Sequence, residues 1–231
     1  MALESFQDGT TEVEVLQRLA TKASSGTIDE SNALCRAAVV LLVSHFEAFL
    51  KAIAEEFVDT VGVGHATSRQ LPEGLRMAHT LPQLESIVTS RDDTQRTTLL
   101  RKLGTISQLW NDDAKPPKGT LKAKTFARLV TSAKSEIIND LFVRMGNGGL
   151  VCDGDIDVTS GNGEIRVVSI DFGLRDVVQC RNDIAHGKSE RKPTPEDVVR
   201  YMEFLLTFAA RLQRKATDLG TQVTATAFGP H

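Results

Sequence analysis

An arginine and a histidine separated by four residues stand at the end of an amphipathic stretch, in the run Arg181-Asn-Asp-Ile-Ala-His186-Gly187. The arginine side chain is a planar fork of N–H donors that matches phosphate oxygens, and a histidine exchanges protons near neutral pH. A glycine directly after the histidine favours the left-handed backbone that ends a helix. The run therefore predicts a cation and a proton carrier at one helix end, which suits the binding or cleavage of a phosphodiester.

Two polar residues inside the run share the side of the helix on which the histidine lies. Asn182 and Asp183 precede His186 by four and three residues, and side chains at these spacings are neighbours on a helix surface. Because Cβ atoms tilt toward the helix N-terminus, His186 leans back toward Asn182 and Arg181. We interpret Asn182 as a group that orients the imidazole or holds a phosphate oxygen, with Asp183 as its supporting neighbour. An arginine and a histidine that only cap carbonyls and fill a salt-bridge network remain the alternative.

The run and its setting resemble the HEPN superfamily of all-helical nucleotide-binding and RNA-cleaving domains. The motif of that superfamily is an arginine, a polar residue, a few more residues and a histidine, which Arg181, Asn182 and His186 match. The ending Ile-Ala-His-Gly and the apolar helix after it are most similar to the RiboL-PSP-type branch. Leu34 to Phe57 resembles the long first core helix of that branch, and the resemblance spans about Ser31 to Leu212.

The resemblance implies a metal-independent endoribonuclease that acts as a toxin or as an anti-phage defence effector on cellular or viral RNA. It also implies a homodimer whose two motifs face a shared cleft, and a possible antitoxin or defence-system partner protein. Some toxins of the family carry a tyrosine two residues after the histidine, where a partner enzyme modifies them. This chain has Lys188 there, so that form of neutralisation is not predicted.

Two other classes of function stay open on the sequence. One is a non-catalytic helical module that binds nucleotides or protein partners and uses the motif helix only for dimerisation. The other is a structural or antitoxin-like interaction protein, which the acidic N-terminal part would suit. A comparison of toxicity between the wild type and His186→Ala separates both from a nuclease.

RNA cleavage without a metal needs little more than this motif supplies. The 2′-hydroxyl of the substrate is an internal nucleophile that already lies next to the phosphate. One group must remove the proton of this hydroxyl, and another must protonate the leaving oxygen. His186 fits the proton transfer, and Arg181 fits the stabilisation of charge on the phosphorane. One chain supplies one such histidine, whereas acid and base are both needed. The broad apolar faces of the long helix and the last helix predict the two-fold interface that would bring a second motif.

The sequence contains no motif for metal-dependent, serine-nucleophile or nucleoside-triphosphate chemistry. His45-Phe-Glu47 is not the HExxH metal motif, and the aspartates from Asp153 to Asp157 lack the glutamate of a calcium loop. No P-loop or G-x-S-x-G sequence is present, so neither a metal nor a cofactor is predicted. Glu47 lies among apolar neighbours on the long helix and is predicted as the partner of Arg181. An exposed carboxylate, or one paired on its own helix, is the alternative.

Charge is distributed unevenly over the 231 residues, whose net charge is −3. Residues 1–60 carry four basic and ten acidic side chains, whereas residues 114–144 carry seven basic and two acidic ones. The total excludes a bulk basic surface for nucleic acid, but the second segment predicts a local basic patch. A solvated helix face is the alternative. The lysines predicted to contact RNA are Lys115, Lys118, Lys122 and Lys188.

The cysteines and the N-terminal residues predict a cytoplasmic protein with no membrane partner. Cys35 and Cys180 lie in apolar helical runs, where a buried reduced thiol is the usual outcome. The first ten residues are acidic and polar, unlike a signal peptide. The longest purely apolar run, Ala37 to Val43, is far shorter than a transmembrane helix.

Helical spacing of apolar residues predicts an all-α, HEPN-like fold. We expect an up-and-down bundle of four main helices with extra short helices and one small β-hairpin insertion. The chain is predicted to form a single domain, 1–231, with its core at about 29–215, the hairpin at 150–170 and a tail at 220–231. The segment from His65 to Thr80 is predicted as a loop. Cap signals predict helix starts at Thr11, at Asp29 or Ser31, at Asp171 and at Thr194-Pro195.

Overall fold

The computed structural model describes residues 1–24, 26, 28–63 and 66–225, and these residues form eight α-helices and one two-stranded antiparallel sheet. The all-α class with a single hairpin, predicted from the sequence, is confirmed. The helices are α1 (Ala2–Ala23), α2 (Ile28–Val63), α3 (Glu73–Thr89), α4 (Asp93–Ile106), α5 (Ala123–Ala127), α6 (Ser135–Arg144), α7 (Ile170–Ala185) and α8 (Pro195–Ala225). The strands are β1 (Asp155–Thr159) and β2 (Ile165–Ser169), paired from Asp155 with Ser169 to Thr159 with Ile165.

The chain forms two compact units, and the first comprises Met1–Lys51, Val130–Asn139 and Val151–Arg214. Its core is aromatic. The ring of Phe46 on α2 lies 5.7 Å from that of Phe6 on α1 and 6.3 Å from that of Phe208 on α8. Gly173 brings α7 close to α8, because a Cβ at this position would lie 2.7 Å from the Phe204 ring. Helices α1, α7 and α8 and the first part of α2 therefore share the apolar core of this unit.

The second unit comprises Ala52–Leu129, Asp140–Leu150 and Lys215–His231. Its buried His79 stacks on Phe126 and joins two segments of backbone. The Nδ1 atom of His79 bonds the carbonyl oxygen of Leu75 at 2.9 Å, and its Nε2 atom accepts the N–H of Lys122 at 2.9 Å. A neutral imidazole serves both bonds, since one ring nitrogen donates and the other accepts. The single domain predicted over residues 1–231 stays a prediction.

The first two helices begin earlier than their cap signals indicate. Helix α1 begins at Ala2, and the Thr11 hydroxyl inside it donates to the Asp8 carbonyl oxygen at 2.6 Å instead of capping. Helix α2 begins at Ile28, so neither Asp29 nor Ser31 is its cap. The buried Ser31 hydroxyl instead donates to the carbonyl oxygen of Ala20 at 2.9 Å. The capping predictions were wrong because the Thr11 hydroxyl bonds a carbonyl of its own helix and the Ser31 hydroxyl bonds a carbonyl of α1.

Two predicted irregular segments are largely helical. Helix α3 begins at Glu73, within the segment from His65 to Thr80 predicted as a loop, while His65 lies outside the described residues. Helix α8 continues to Ala225, so the predicted tail from 220 is wrong as far as the structure describes it. The extension packs: a Cβ at Gly220 would lie 3.3 Å from a methyl carbon of Thr60. Close packing at Gly220 thus accounts for the continuation of α8 beyond the predicted boundary.

Helix α2 as a whole is long and apolar enough to cross a membrane by length and composition, with a mean hydropathy of 1.8 in its most apolar window. The purely apolar run from Ala37 to Val43 is much shorter than this window, so that run alone understates how apolar α2 is. Half of that window is buried inside the protein, and Cys35, Leu42 and Phe46 are fully buried. This is the burial of a core helix, and core packing accounts for the apolar composition of α2.

Candidate functional site

The hairpin leads directly into α7, the helix that carries the Arg-to-His run. Ser169 ends β2 and is the N-cap residue of α7, without a side-chain cap hydrogen bond. The predicted cap, Asp171, lies in the first turn instead. Its carboxylate accepts the hydroxyl of Ser135 at 2.7 Å and pairs with Arg175. The cap prediction is wrong because this carboxylate bonds to α6 and to its own helix.

The C-terminal end of α7 has the glycine stop that the sequence predicts. The N–H of Gly187 donates to the carbonyl oxygen of Ile184 at 3.0 Å, and the N–H of Lys188 donates to that of Asp183 at 2.9 Å. Gly187 has φ +75°, which confirms the predicted left-handed residue. His186 is therefore the C-cap residue of α7, and it is exposed to solvent. Within the described part of the chain, no group hydrogen-bonds its imidazole.

Arg181 is held by a carboxylate from α2. Its guanidinium pairs with Oε1 of Glu47, and its Nη1 donates to Oδ1 of Asn182 at 3.0 Å. The same Glu47 oxygen accepts the N–H of Ala133 at 3.3 Å. Both charged side chains are 23% exposed, so water screens the pair only in part. The arrangement fixes the guanidinium of a residue five positions before His186 and neutralises much of its charge.

Asp183 joins the last turn of α7 to the residue after the stop. Its Oδ1 accepts from Nζ of Lys188 at 2.8 Å and from Nε2 of Gln179 at 2.7 Å. The Lys188 hydrogen bond, followed by that of Gln179, lowers the pKa of the Asp183 carboxyl below its ordinary value. Lys188, predicted to contact RNA, therefore already has one carboxylate partner, although its side chain is 62% exposed.

The loop after the motif is tied down by residues that the sequence analysis did not single out. Nη1 of Arg36 on α2 donates to the carbonyl oxygens of Lys188 and Arg191 at 2.9 and 3.0 Å. Arg191 in turn pairs with Asp176 at 2.9 Å and lies 3.2 Å from the Tyr201 hydroxyl. No local spacing signals these contacts, because Arg36 is more than 150 positions from the loop in sequence.

The basic segment predicted to contact RNA lies in the second compact unit, whereas the motif lies in the first. Lys115 and Lys118 line a cavity of about 270 Å³ whose apolar wall includes Val58 and Val61. The backbone of Lys122 bonds His79, as described above. The assignment of these lysines as RNA contacts stays a prediction. In the described ranges, no group of three or more His, Cys, Asp or Glu side chains is placed to hold a metal ion.

The comparison with protein families identifies the chain. The sequence model described as RiboL-PSP-HEPN matches residues 4–218, which include the whole motif and extend through α1, beyond the resemblance seen in the sequence. Comparisons with curated proteins and with solved structures found no match. The family match covers most of the chain, and the chain therefore belongs to the RiboL-PSP-HEPN family.

Proposed function

We propose that this protein is a metal-independent endoribonuclease whose active residues are Arg181, Asn182 and His186. The observation that supports it most is the exposed imidazole at the end of α7, on the helix that also carries a fixed guanidinium and amide, in a chain of this family. HEPN domains are generally associated with RNA cleavage. The same geometry leaves the imidazole accessible to a strand that approaches the helix end.

In the proposed reaction the substrate's 2′-oxygen attacks the adjacent phosphorus and the bond from phosphorus to the 5′-oxygen breaks. One imidazole takes the 2′-hydroxyl proton, and a second proton carrier delivers a proton to the leaving 5′-oxygen. Arg181 stabilises the negative charge on the phosphorane with the N–H groups that Glu47 and Asn182 leave available. Glu47 acts as a positioning residue because it holds the guanidinium from α2.

A homodimer would supply the second proton carrier. The sequence argument for it needs correction, because the apolar faces of α2 and α8 are buried inside the chain, including Phe46 and Leu205. The exposed apolar residues beside the motif helix are Ile165, Val167 and Phe172, which are 67, 70 and 67% exposed. Phe172 and His186 are fourteen residues apart, close to four turns, so they share one face of α7. We propose that this face meets its copy across a two-fold axis, with contact at Phe172 and a cleft between the two copies at Gln179 and His186 that admits RNA.

The biological role we propose is that of a toxin or anti-phage defence effector acting on RNA in the cytoplasm. An antitoxin or defence-system partner would then control it. Lys115, Lys118, Lys122 and Lys188 are proposed to contact the RNA backbone, in which case binding weakens as salt is raised.

Purified variants test the catalytic assignment. His186→Ala is expected to reduce RNA cleavage at least about 10²-fold, the usual contribution of a positioned proton carrier. Arg181→Ala should lose a similar factor and Arg181→Lys should not restore it, because a point charge replaces the fork. Arg214→Ala, at an exposed position of α8, is the matched control and should cleave normally. Normal cleavage by folded His186→Ala would refute the assignment.

The chemistry of the products checks the same proposal independently. Attack by the 2′-oxygen leaves a 2′,3′-cyclic phosphate and a 5′-hydroxyl, proceeds in EDTA and requires the 2′-hydroxyl at the cleaved position. Products with 5′-phosphate ends, or loss of activity on chelation, would contradict it.

A non-catalytic nucleotide- or protein-binding module is the second candidate function. The pairing of Arg181 with Glu47 favours it, because this pair removes much of the positive charge that a phosphorane needs. This candidate predicts that the wild type binds nucleotides or RNA without cleaving them.

A further inference from the structure

A groove beside the motif is not used by the proposed reaction. It has a volume of about 210 Å³ and runs along α7 to Asn182, with the first turn of α6 as its opposite wall. Leu174 and Val178, both buried, form an apolar floor. Gln179 and Asn182 border it on the α7 side. The groove thus shares Asn182 with the proposed active residues.

The two amides at the groove are oriented by residues of the motif. Gln179 must turn its NH₂ toward Asp183, because an ionised carboxylate only accepts hydrogen bonds. Asn182 must turn its Oδ1 toward Arg181, because a guanidinium only donates. Oε1 of Gln179 and Nδ2 of Asn182 then have no partner among the residues the structure describes. The groove therefore offers one fixed acceptor and one fixed donor.

The far wall and the rim add charge to this pattern. Glu136 on α6 supplies a second acceptor, and Lys134 and Arg175 place basic groups at the edge. Arg175 is already paired with Asp171, so Lys134 is the cation more available to a phosphate. An acceptor-rich wall favours an amino group over a carbonyl oxygen, and the basic rim suits the phosphates that flank a bound nucleotide.

The size and polarity of the groove fit a single flat ring system. Pockets for drug-sized ligands occupy about 300–1,000 Å³, so this groove is smaller. Single-stranded RNA is commonly recognised through unstacked bases that lie on a side-chain surface and are read at their edges. Adenine and cytosine present an amino group beside a ring acceptor, and guanine presents an amino group and a ring N–H beside a carbonyl oxygen. Each of them can donate to both Gln179 and Glu136 and accept from Asn182. Uracil has one N–H between two carbonyl oxygens, so it can satisfy only one of the two acceptors.

We propose that this groove binds the base of the nucleotide next to the scissile phosphate and selects bases that carry an exocyclic amino group, namely adenine, cytosine or guanine, over uracil. The inference rests on the proposed ribonuclease function and names the sequence preference of that site. Asn182 and His186 are about 6 Å apart along the helix axis, within reach of adjacent parts of one nucleotide. Gln179, Asn182 and Glu136 read the base edge, and Leu174 and Val178 support its face.

Cleavage of a random-sequence RNA, followed by sequencing of the product ends, tests the subsite. The wild type should show a preference of about tenfold against uracil at one fixed position beside the cleaved bond. Gln179→Leu should flatten the profile at that position, and Gln179→Trp, which covers the groove, should lower kcat/KM about tenfold or more through KM. The matched control is Gln7→Leu, at an exposed glutamine of α1, which should keep the wild-type profile.

The failure of the subsite and the failure of the ribonuclease proposal give different results. If the wild type cleaves and Gln179→Leu keeps the same profile, the subsite is overturned and the ribonuclease stands. If the wild type cleaves no RNA, affinities of His186→Ala for short oligoadenylate, oligocytidylate and oligouridylate decide the subsite by themselves. The subsite is supported if His186→Ala binds oligouridylate more weakly than the other two oligonucleotides and this difference disappears when Gln179→Leu is added. Equal or absent binding overturns it.

Discussion

At the scale of single residues, the pairing of Arg181 with Glu47 decides how much charge the site offers. A guanidinium in water would be mobile and screened, whereas here Glu47 and Asn182 fix it at a partly buried position. The carboxylate of Glu47 reduces the positive charge of the site, and it holds the guanidinium in a fixed position. Because this oxygen also accepts the N–H of Ala133, loss of Glu47 affects the turn before α6 as well as the guanidinium.

The substitution Glu47→Gln measures this contribution. It should lower the free energy of unfolding by about 1–2 kcal/mol, because a partly buried guanidinium loses its charged partner while an amide oxygen remains. Glu12→Gln is the matched control, since Glu12 is 67% exposed and its ion pair is with His45, and it should change the free energy by less than about 0.5 kcal/mol. Urea denaturation measures both. Equal effects of the two substitutions would mean that Glu47 is an ordinary surface carboxylate.

Asp183 gives stability a defined dependence on pH. Its hydrogen bonds with Lys188 and Gln179 lower the pKa of the carboxyl in the folded state below the ordinary value of 3.8. A depressed folded-state pKa means that the stabilisation is complete above the unfolded-state value and is lost as pH falls through the folded-state value. Asp183→Asn should therefore melt below the wild type at pH 7, with the gap closing below pH 4. A gap independent of pH in melts from pH 7 to 3 would contradict this.

Much of the residue-scale picture follows from the sequence. The spacing of Arg181, Asn182 and His186 predicts their common helix end, and a carboxylate among apolar neighbours draws attention to Glu47. Arg36 was missed because it acts on backbone carbonyls of a loop distant in sequence, and such carbonyls are present whatever the residue type. Spacing within one helix is therefore informative, whereas a hydrogen bond to the backbone carbonyls of a distant segment leaves no signal in the sequence.

At the scale of elements, the end of α7 sets where the imidazole stands. Gly187 allows the backbone to turn directly after His186, and Arg36 then holds the next residues from α2. The stop and the clamp together determine the path of the loop. A helix that continued by one turn would carry the loop and Lys188 away from Asp183.

Gly187→Ala tests the stop. A Cβ there meets no atom within 4 Å, so only the positive φ opposes the side chain. The expected loss of stability is about 1–2 kcal/mol, with a larger proportional loss of cleavage because His186 is displaced. Gly148→Ala is the matched control, since it also has open space and no positive φ. Calorimetry and cleavage rates measure both variants. If the two variants have the same stability and the same cleavage rate, the positive φ of Gly187 is not needed to position His186.

Element boundaries show where local signals fail. The stop at Gly187, the hairpin and the Thr194 cap were predicted correctly, because backbone conformation or reciprocal bonds such as Thr194 with Asp197 depend on a few adjacent residues. The starts of α1 and α2 were not, although Thr11 lies in a capping-box sequence. Burial of Phe6 before it extends α1 toward the N-terminus, and the energy of burying a phenylalanine exceeds that of a surface cap.

At the scale of the whole molecule, we propose that a second copy completes the active site. The exposed apolar residues that would support it are few, and Phe172 is the one on the same face of α7 as His186. A large exposed aromatic side chain next to a functional helix is a usual feature of an interface.

Phe172→Glu is expected to convert a dimer into a monomer and to abolish cleavage together with it, since two like charges would face each other across the axis. Val88→Glu on α3 is the matched control, because Val88 is 80% exposed and lies in the other compact unit. Sedimentation velocity at the assay concentration measures the assembly. A wild-type monomer with full activity, or an active Phe172→Glu monomer, would refute the shared site.

The anchoring of the groove amides on Asp183 and Arg181 has an evolutionary consequence. A mutation at Gln179 or Asn182 that changes base preference also releases a residue of the motif, so selection for activity opposes it. The α6 wall carries no such constraint, because Glu136 faces the groove without bonding the motif in the described chain. Divergence in sequence preference among relatives that remain active should accumulate on α6, while the amides on α7 change together with the motif or not at all.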